Sequence, residues 1–119
     1  MRGRSDHILL YDILECCDRV AEYIDGVSKQ TFENNYQLQD ALIRKIEVIG
    51  EATKGLSTDI TAEDSDIPWK KMAGMRDRMV HQYFRADLDV VWKTVTVFVP
   101  QLQSQIQPIY DELSQFHRD

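Results

Sequence analysis

Apolar residues recur along this chain at steps of three and four, the period of a helix with about 3.6 residues per turn. The first such stretch opens at Ser5 or Asp6, either of which can cap a helix through a side-chain oxygen. Leu9 or Leu10, Ile13, Cys17, Val20 and Ile24 follow at helical spacing, and Asp25-Gly26 supplies the stop. Thr31 to Asn35 predicts a short turn before a second long helix. That helix carries Leu38, Leu42, Ile46, Ile49 and Ala52 on one stripe and ends near Gly55. Gly50 inside it costs about 1 kcal/mol relative to alanine, which points to a second helix packed closely there.

Residues 57–67 are polar and acidic and read as loop. Pro68 suits the first turn of a third helix, where its missing N–H costs nothing, and this helix runs toward Tyr83. A fourth helix starts at Asp87. Its stretch from Val90 to Val99 is rich in β-branched and aromatic residues and by propensity alone would be a strand. Periodicity decides for a helix: Leu88, Val91, Val95, Phe98, Leu102, Ile106, Ile109, Leu113 and Phe116 keep the three/four step. Pro100 and Pro108 each remove a helical hydrogen bond, so bends are expected at both. The pattern predicts an all-α, up-and-down bundle of four main helices with a long, kinked C-terminal helix, in one domain over residues 1–119. The core of such a bundle is thin, which favours burying a further face against a second copy, as a homodimer.

Composition adds two constraints. The chain has 43% hydrophobic and 29% charged residues, ordinary for a soluble globular protein, and its net charge of −6 argues against a non-specific nucleic-acid coat. The charge is uneven, however. Between Trp69 and Arg85 the residues Lys70, Lys71, Arg76, Arg78 and Arg85 face Asp77 alone, while Asp59, Glu63, Asp64 and Asp66 lie just upstream. A basic island in an acidic body suits a confined anionic ligand; the bland reading is solvated charge on helix surfaces. Cys16 and Cys17 are adjacent, too close for a relaxed disulfide, and read as core packing. With no transmembrane-length apolar run and no leader, a reduced, cytoplasmic protein with no membrane contact is expected. His7 and His117 have no metal-ligand spacing, Trp69 and Trp92 read as packing anchors, and neither metal nor cofactor is expected.

Titratable chemistry crowds into one segment, Arg76 to Tyr83. On a helix, Asp77 and His81 lie at i and i+4, where a carboxylate can orient an imidazole and stabilise its charged form. Arg76 and His81 are five apart, about 140° around a regular helix. A joint site therefore needs the helix to loosen near His81 or a second protomer to complete the cleft.

Arg76, Asp77, His81 and Tyr83 are similar to the R-x4-H-x-Y signature of HEPN-fold ribonuclease toxins of the HepT family. Leu38-Gln39-Asp40-Ala41 leading into Ile49-Gly50-Glu51-Ala52 looks like that family's second helix, and Pro68-Trp69 with Met72-Ala73-Gly74-Met75-Arg76 like the approach to its motif. The resemblance covers nearly the whole chain. It implies a helical homodimer that joins two motifs in one cleft and acts as a metal-independent endoribonuclease. It also implies a toxin–antitoxin pair with an MntA-type nucleotidyltransferase, which transfers AMP to Tyr83 and blocks the cleft.

The side chains suit that chemistry, because RNA carries its own nucleophile, the 2′-hydroxyl. His81, with an ordinary pKa of about 6.5, can take or give a proton. Arg76 can grip the phosphate and stabilise developing charge, Asp77 would orient His81, and Arg78, Lys70 and Lys71 would guide the strand. The expected products carry a 2′,3′-cyclic phosphate and a 5′-hydroxyl. Two alternatives compete: a non-catalytic helical module that docks a nucleotidyltransferase or a nucleotide, and a bundle that serves only assembly.

Overall fold

The computed structural model describes residues 5–62, 66–81 and 87–116, with the side chains of 76–81 and 116 outside the description. Of the two candidate caps, Ser5 holds the start of the first helix, α1 (Asp6–Ile24), its hydroxyl accepting from the Ile8 N–H at 3.4 Å. Asp6 is turned to another use. Its carboxylate accepts from the Ser57 backbone N–H at 2.8 Å and from the Ser57 hydroxyl, tying the start of α1 to a segment 51 residues away. Gly26, at φ +71°, follows α1 in left-handed backbone.

The short element lies two residues earlier than the turn predicted over Thr31–Asn35. Ser28 caps α2 (Lys29–Glu33) by accepting from the Thr31 N–H at 3.1 Å. Such a short helix is unstable alone, and it is held by the fully buried Phe32 and by Gln39, whose amide donates to the carbonyls of Phe32 and Glu33 at 2.9 and 3.2 Å. Asn35 then caps α3 (Tyr36–Gly55), and Leu42, Ile46, Ile49 and Ala52 are buried along it as the spacing predicts. Gly50 is buried too.

The acidic stretch read as loop holds a single helical turn, α4 (Thr58–Thr61), because Ile60 is apolar enough to be buried and draws the turn onto the core. Pro68 directly precedes α5 (Trp69–His81), accepting from the Met72 N–H at 3.0 Å. α3 packs against both α1 and α5.

Asp87 caps α6 (Leu88–Lys93) through the Asp89 N–H at 2.9 Å. The helix then widens into a π turn, Thr94–Phe98, before continuing as α7 (Val99–Phe116), which packs on α1. The interruption expected at Pro100 takes this form for a physical reason. In a regular helix the Pro100 ring would press on the Thr96 carbonyl. In the π turn the preceding Val99 N–H bonds to the Thr94 carbonyl, five residues back. The hydroxyls of Thr94 and Thr96 also bond to the Val90 and Trp92 carbonyls, each at 2.7 Å, a contact known to distort helices. The wider turn changes the buried stripe: Val91, Val95, Val99, Leu102 and Ile106 fill the core, and Phe98 is left half-buried. Pro108 lies inside α7, whose helical span continues across it.

α1, α3, α5 and the α6–π–α7 helix thus make an all-helical fold of four main helices around one core. Cys16 and Cys17 lie in that core with free thiols. Trp69 is buried, and Trp92 sits against Phe32 with ring centroids 5.0 Å apart. No helix among the described residues is long and apolar enough to cross a membrane.

Candidate active site

The setting of α5 is decided in its first two turns. Trp69, Met72 and Met75, at i, i+3 and i+6, are all buried, while Lys70 and Lys71 are exposed. The helix continues without a break through Arg76, Asp77, Arg78 and His81, so their backbone positions are fixed although their side chains lie outside the description. Asp77 and His81 are one turn apart. Arg76 and His81 are about 140° apart around the axis, with no loosening between them, and His81 is the last described residue of the helix. Tyr83 and Arg85 lie outside the described residues, as do Glu63, Asp64 and His117.

Of the residues expected to guide a strand, Lys71 has a visible partner: its Nζ lies 5.4 Å from the centroid of the Phe98 ring, within cation–π range. The two residues border a groove of about 620 Å³ between α5 and the C-terminal helix, with Lys93 and Val97 also on its walls. Lys93, Val97 and Phe98 belong to no motif, and spacing marks Phe98 as core. With Val90, Thr94 and Gln101 they form one face of the C-terminal helix, turned toward α5. A smaller hollow of about 340 Å³ between α1 and α3 is lined by Asp12, Glu47, Glu51 and Arg44, a charge balance that disfavours an anion.

Other chemistry is poorly placed. Burial pushes the Cys16 thiol up, and burial together with neighbouring Cys16 pushes the Cys17 thiol up to about 12, so neither is a nucleophile near neutral pH. His7 stacks on Tyr110 at 4.9 Å and its Nε2 lies 3.0 Å from the Ser114 hydroxyl. Among the described residues no three His, Cys, Asp or Glu side chains are grouped to hold a metal ion.

Residues 13–109 match the family described as ribonuclease HepT-like. The chain belongs to the HepT-like ribonuclease family. It is 36% identical over 113 residues to a Methanocaldococcus jannaschii protein named as a candidate RNase, covering 95% of this chain and 93% of that one. A Thermococcus cleftensis protein named as a candidate ribonuclease HepT is 36% identical over 106 residues, 89% of this chain and 96% of its own. A second M. jannaschii protein, whose name joins a gamma-glutamylcyclotransferase to a candidate RNase, is 40% identical over 106 residues, and these make up 48% of its length. No solved structure matches. The HepT-like match spans α5 and the whole of the Arg76–Tyr83 segment, so the motif stands inside the family region.

Proposed function

We propose that this HepT-like chain is a metal-independent endoribonuclease, the toxin of a toxin–antitoxin pair, built as a single domain and working in the cytoplasm as a homodimer. Arg76, Asp77 and His81 carry the chemistry, and an MntA-type nucleotidyltransferase silences it by AMP transfer to Tyr83. The observation that carries the reading is the R-x4-H-x-Y sequence, whose arginine and histidine lie in α5, in a chain of a ribonuclease family. The unbroken course of α5 supports the two-copy arrangement, since a rigid helix keeps its own positions 76 and 81 about 140° apart.

In this mechanism an imidazole of His81 takes the proton of the ribose 2′-hydroxyl, and the freed oxygen attacks the adjacent phosphorus. The P–O5′ bond breaks, and the leaving oxygen takes a proton from an imidazolium. Arg76 holds the phosphate and offsets its growing charge; Asp77 keeps the imidazole oriented. The products are a 2′,3′-cyclic phosphate and a 5′-hydroxyl. AMP on Tyr83 adds bulk and negative charge, which repel the RNA backbone.

The test is cleavage of end-labelled RNA in the presence of a chelator. The wild-type chain is expected to cut and leave cyclic ends, and His81→Ala and Arg76→Ala to lose roughly 10²–10⁴ in rate with unchanged helicity. Cleavage by His81→Ala at the wild-type rate overturns the assignment. The acidic balance of −6 favours, as a second reading, a module that docks a nucleotidyltransferase without cutting RNA, and absence of cleavage by the wild-type chain would select it.

A further inference from the structure

The groove between α5 and the C-terminal helix has features that the fold itself does not explain. Lys71 stands on one wall and Lys93, at the end of α6, on the other, and among the described residues that line it none carries a carboxylate. In a chain with a net charge of −6 that is a local reversal of sign. Asp89, one turn before Lys93, is engaged elsewhere, paired with Lys29 at 2.7 Å. Between the lysines the floor is apolar, made by Met75, Val90, Phe98 and Val97, and Val97 is left 46% exposed.

Gly74 is the second, independent sign. It sits inside α5 on the groove, where glycine weakens a helix relative to other residues. Among the described residues a Cβ at this position would meet no atom within 4 Å, and its backbone is not left-handed. Among the described residues the packing therefore gives no reason for a glycine, whereas an occupant of the groove would give one.

We infer that this groove is a binding subsite for single-stranded RNA: Lys71 and Lys93 each take a phosphate, and a nucleobase lies on the apolar floor over Gly74. The inference rests on the ribonuclease reading and adds to it where the strand lies beside the motif. Phe98 holds the Lys71 ammonium in place by its ring face. The volume of about 620 Å³ lies within the roughly 300–1,000 Å³ of small-ligand clefts. Lys71 precedes Arg78 by seven residues, two turns along the same side of α5 and about 10.5 Å along the axis, so a strand in this groove runs toward the motif segment. An apolar floor with two cations suits a flexible single strand, whose bases are free to lie on protein surface, better than a duplex.

The experiment measures binding without chemistry, using a fluorescein-labelled 12-nucleotide oligouridylate in which every 2′-hydroxyl is methylated, read by fluorescence anisotropy at several salt concentrations. Lys71→Ala and Lys93→Ala are each expected to weaken binding about fivefold at 0.1 M salt and to reduce the salt slope by about 0.7, the double variant by about 1.4. Gly74→Leu, which fills the groove with a better helix former, should keep or raise the Tm while binding falls more than tenfold. A double lysine variant with wild-type affinity and slope overturns the inference, and so does Gly74→Leu that binds normally. So does a change of mass by light scattering in Val97→Glu, because the groove would then hold another copy of the chain. These readouts are independent of cleavage, so failure of the subsite and failure of the ribonuclease reading are told apart by the His81→Ala assay.

Discussion

The Asp6 carboxylate receives two hydrogen bonds from Ser57, one from its backbone N–H at 2.8 Å and one from its hydroxyl. One side chain thus joins the first turn of α1 to the residue that leads into α4, and it is also an acidic group at a helix N-terminus, where the helix dipole favours it. Asp6→Ala is expected to cost about 1–2 kcal/mol in urea unfolding, because a charge-assisted pair is lost. Ser57→Ala should cost less, since the backbone N–H still donates. A double-mutant cycle that returns no coupling between the two would refute the contact's contribution.

A second expectation concerns Tyr83. Co-expression with a cognate nucleotidyltransferase should raise the mass of the chain by one or more AMP units, and Tyr83→Phe should abolish the increase and leave growth arrest intact. Continued modification and silencing of Tyr83→Phe would place the switch on another residue.

The buried thiols set an alkaline limit. Burial moves the Cys17 thiol from an ordinary 9.0 to about 12 in the folded chain. Above pH 9 the unfolded chain has released a proton that the folded chain still holds, so stability is complete below that pH and falls as pH rises toward 12, by up to about 1.4 kcal/mol per unit. Cys16 adds to the effect in the same direction. Urea midpoints at pH 8 and pH 10.5 should therefore separate more in the wild-type chain than in Cys17→Ala. Equal losses in both would show that other groups set the alkaline limb.

Much of the fold is legible in the sequence because caps and stripes are local signals. Asn35 and Asp87 cap the helices that the spacing predicts, and Leu42, Ile46 and Ile49 are buried where the stripe puts them. What periodicity misses depends on partners far along the chain. Ile60 turns an acidic stretch into a helical turn by finding the core, and Ser28 starts α2 before the predicted position. Phe98 keeps a helical step with Val95, yet Val99 takes the core position, because the stripe assumes a constant pitch that Pro100 forbids. The motif residues were legible as chemistry and as a family resemblance. Lys93 and Val97 were not, because a groove between two helices has no signature in either helix alone.

The π turn has a consequence for chain length. A turn closed five residues back holds one residue more than a regular helical turn requires. Losing one residue between Thr94 and Phe98 would let the helix return to its ordinary pitch, with Leu102 and Ile106 keeping their seats, provided that Pro100 were replaced as well. Insertions and deletions in chains of this fold should therefore collect at this turn, paired with the presence or absence of that proline. Each such change would reshape the neighbouring groove and the seat of Val95, and leave Leu102 and Ile106 in place.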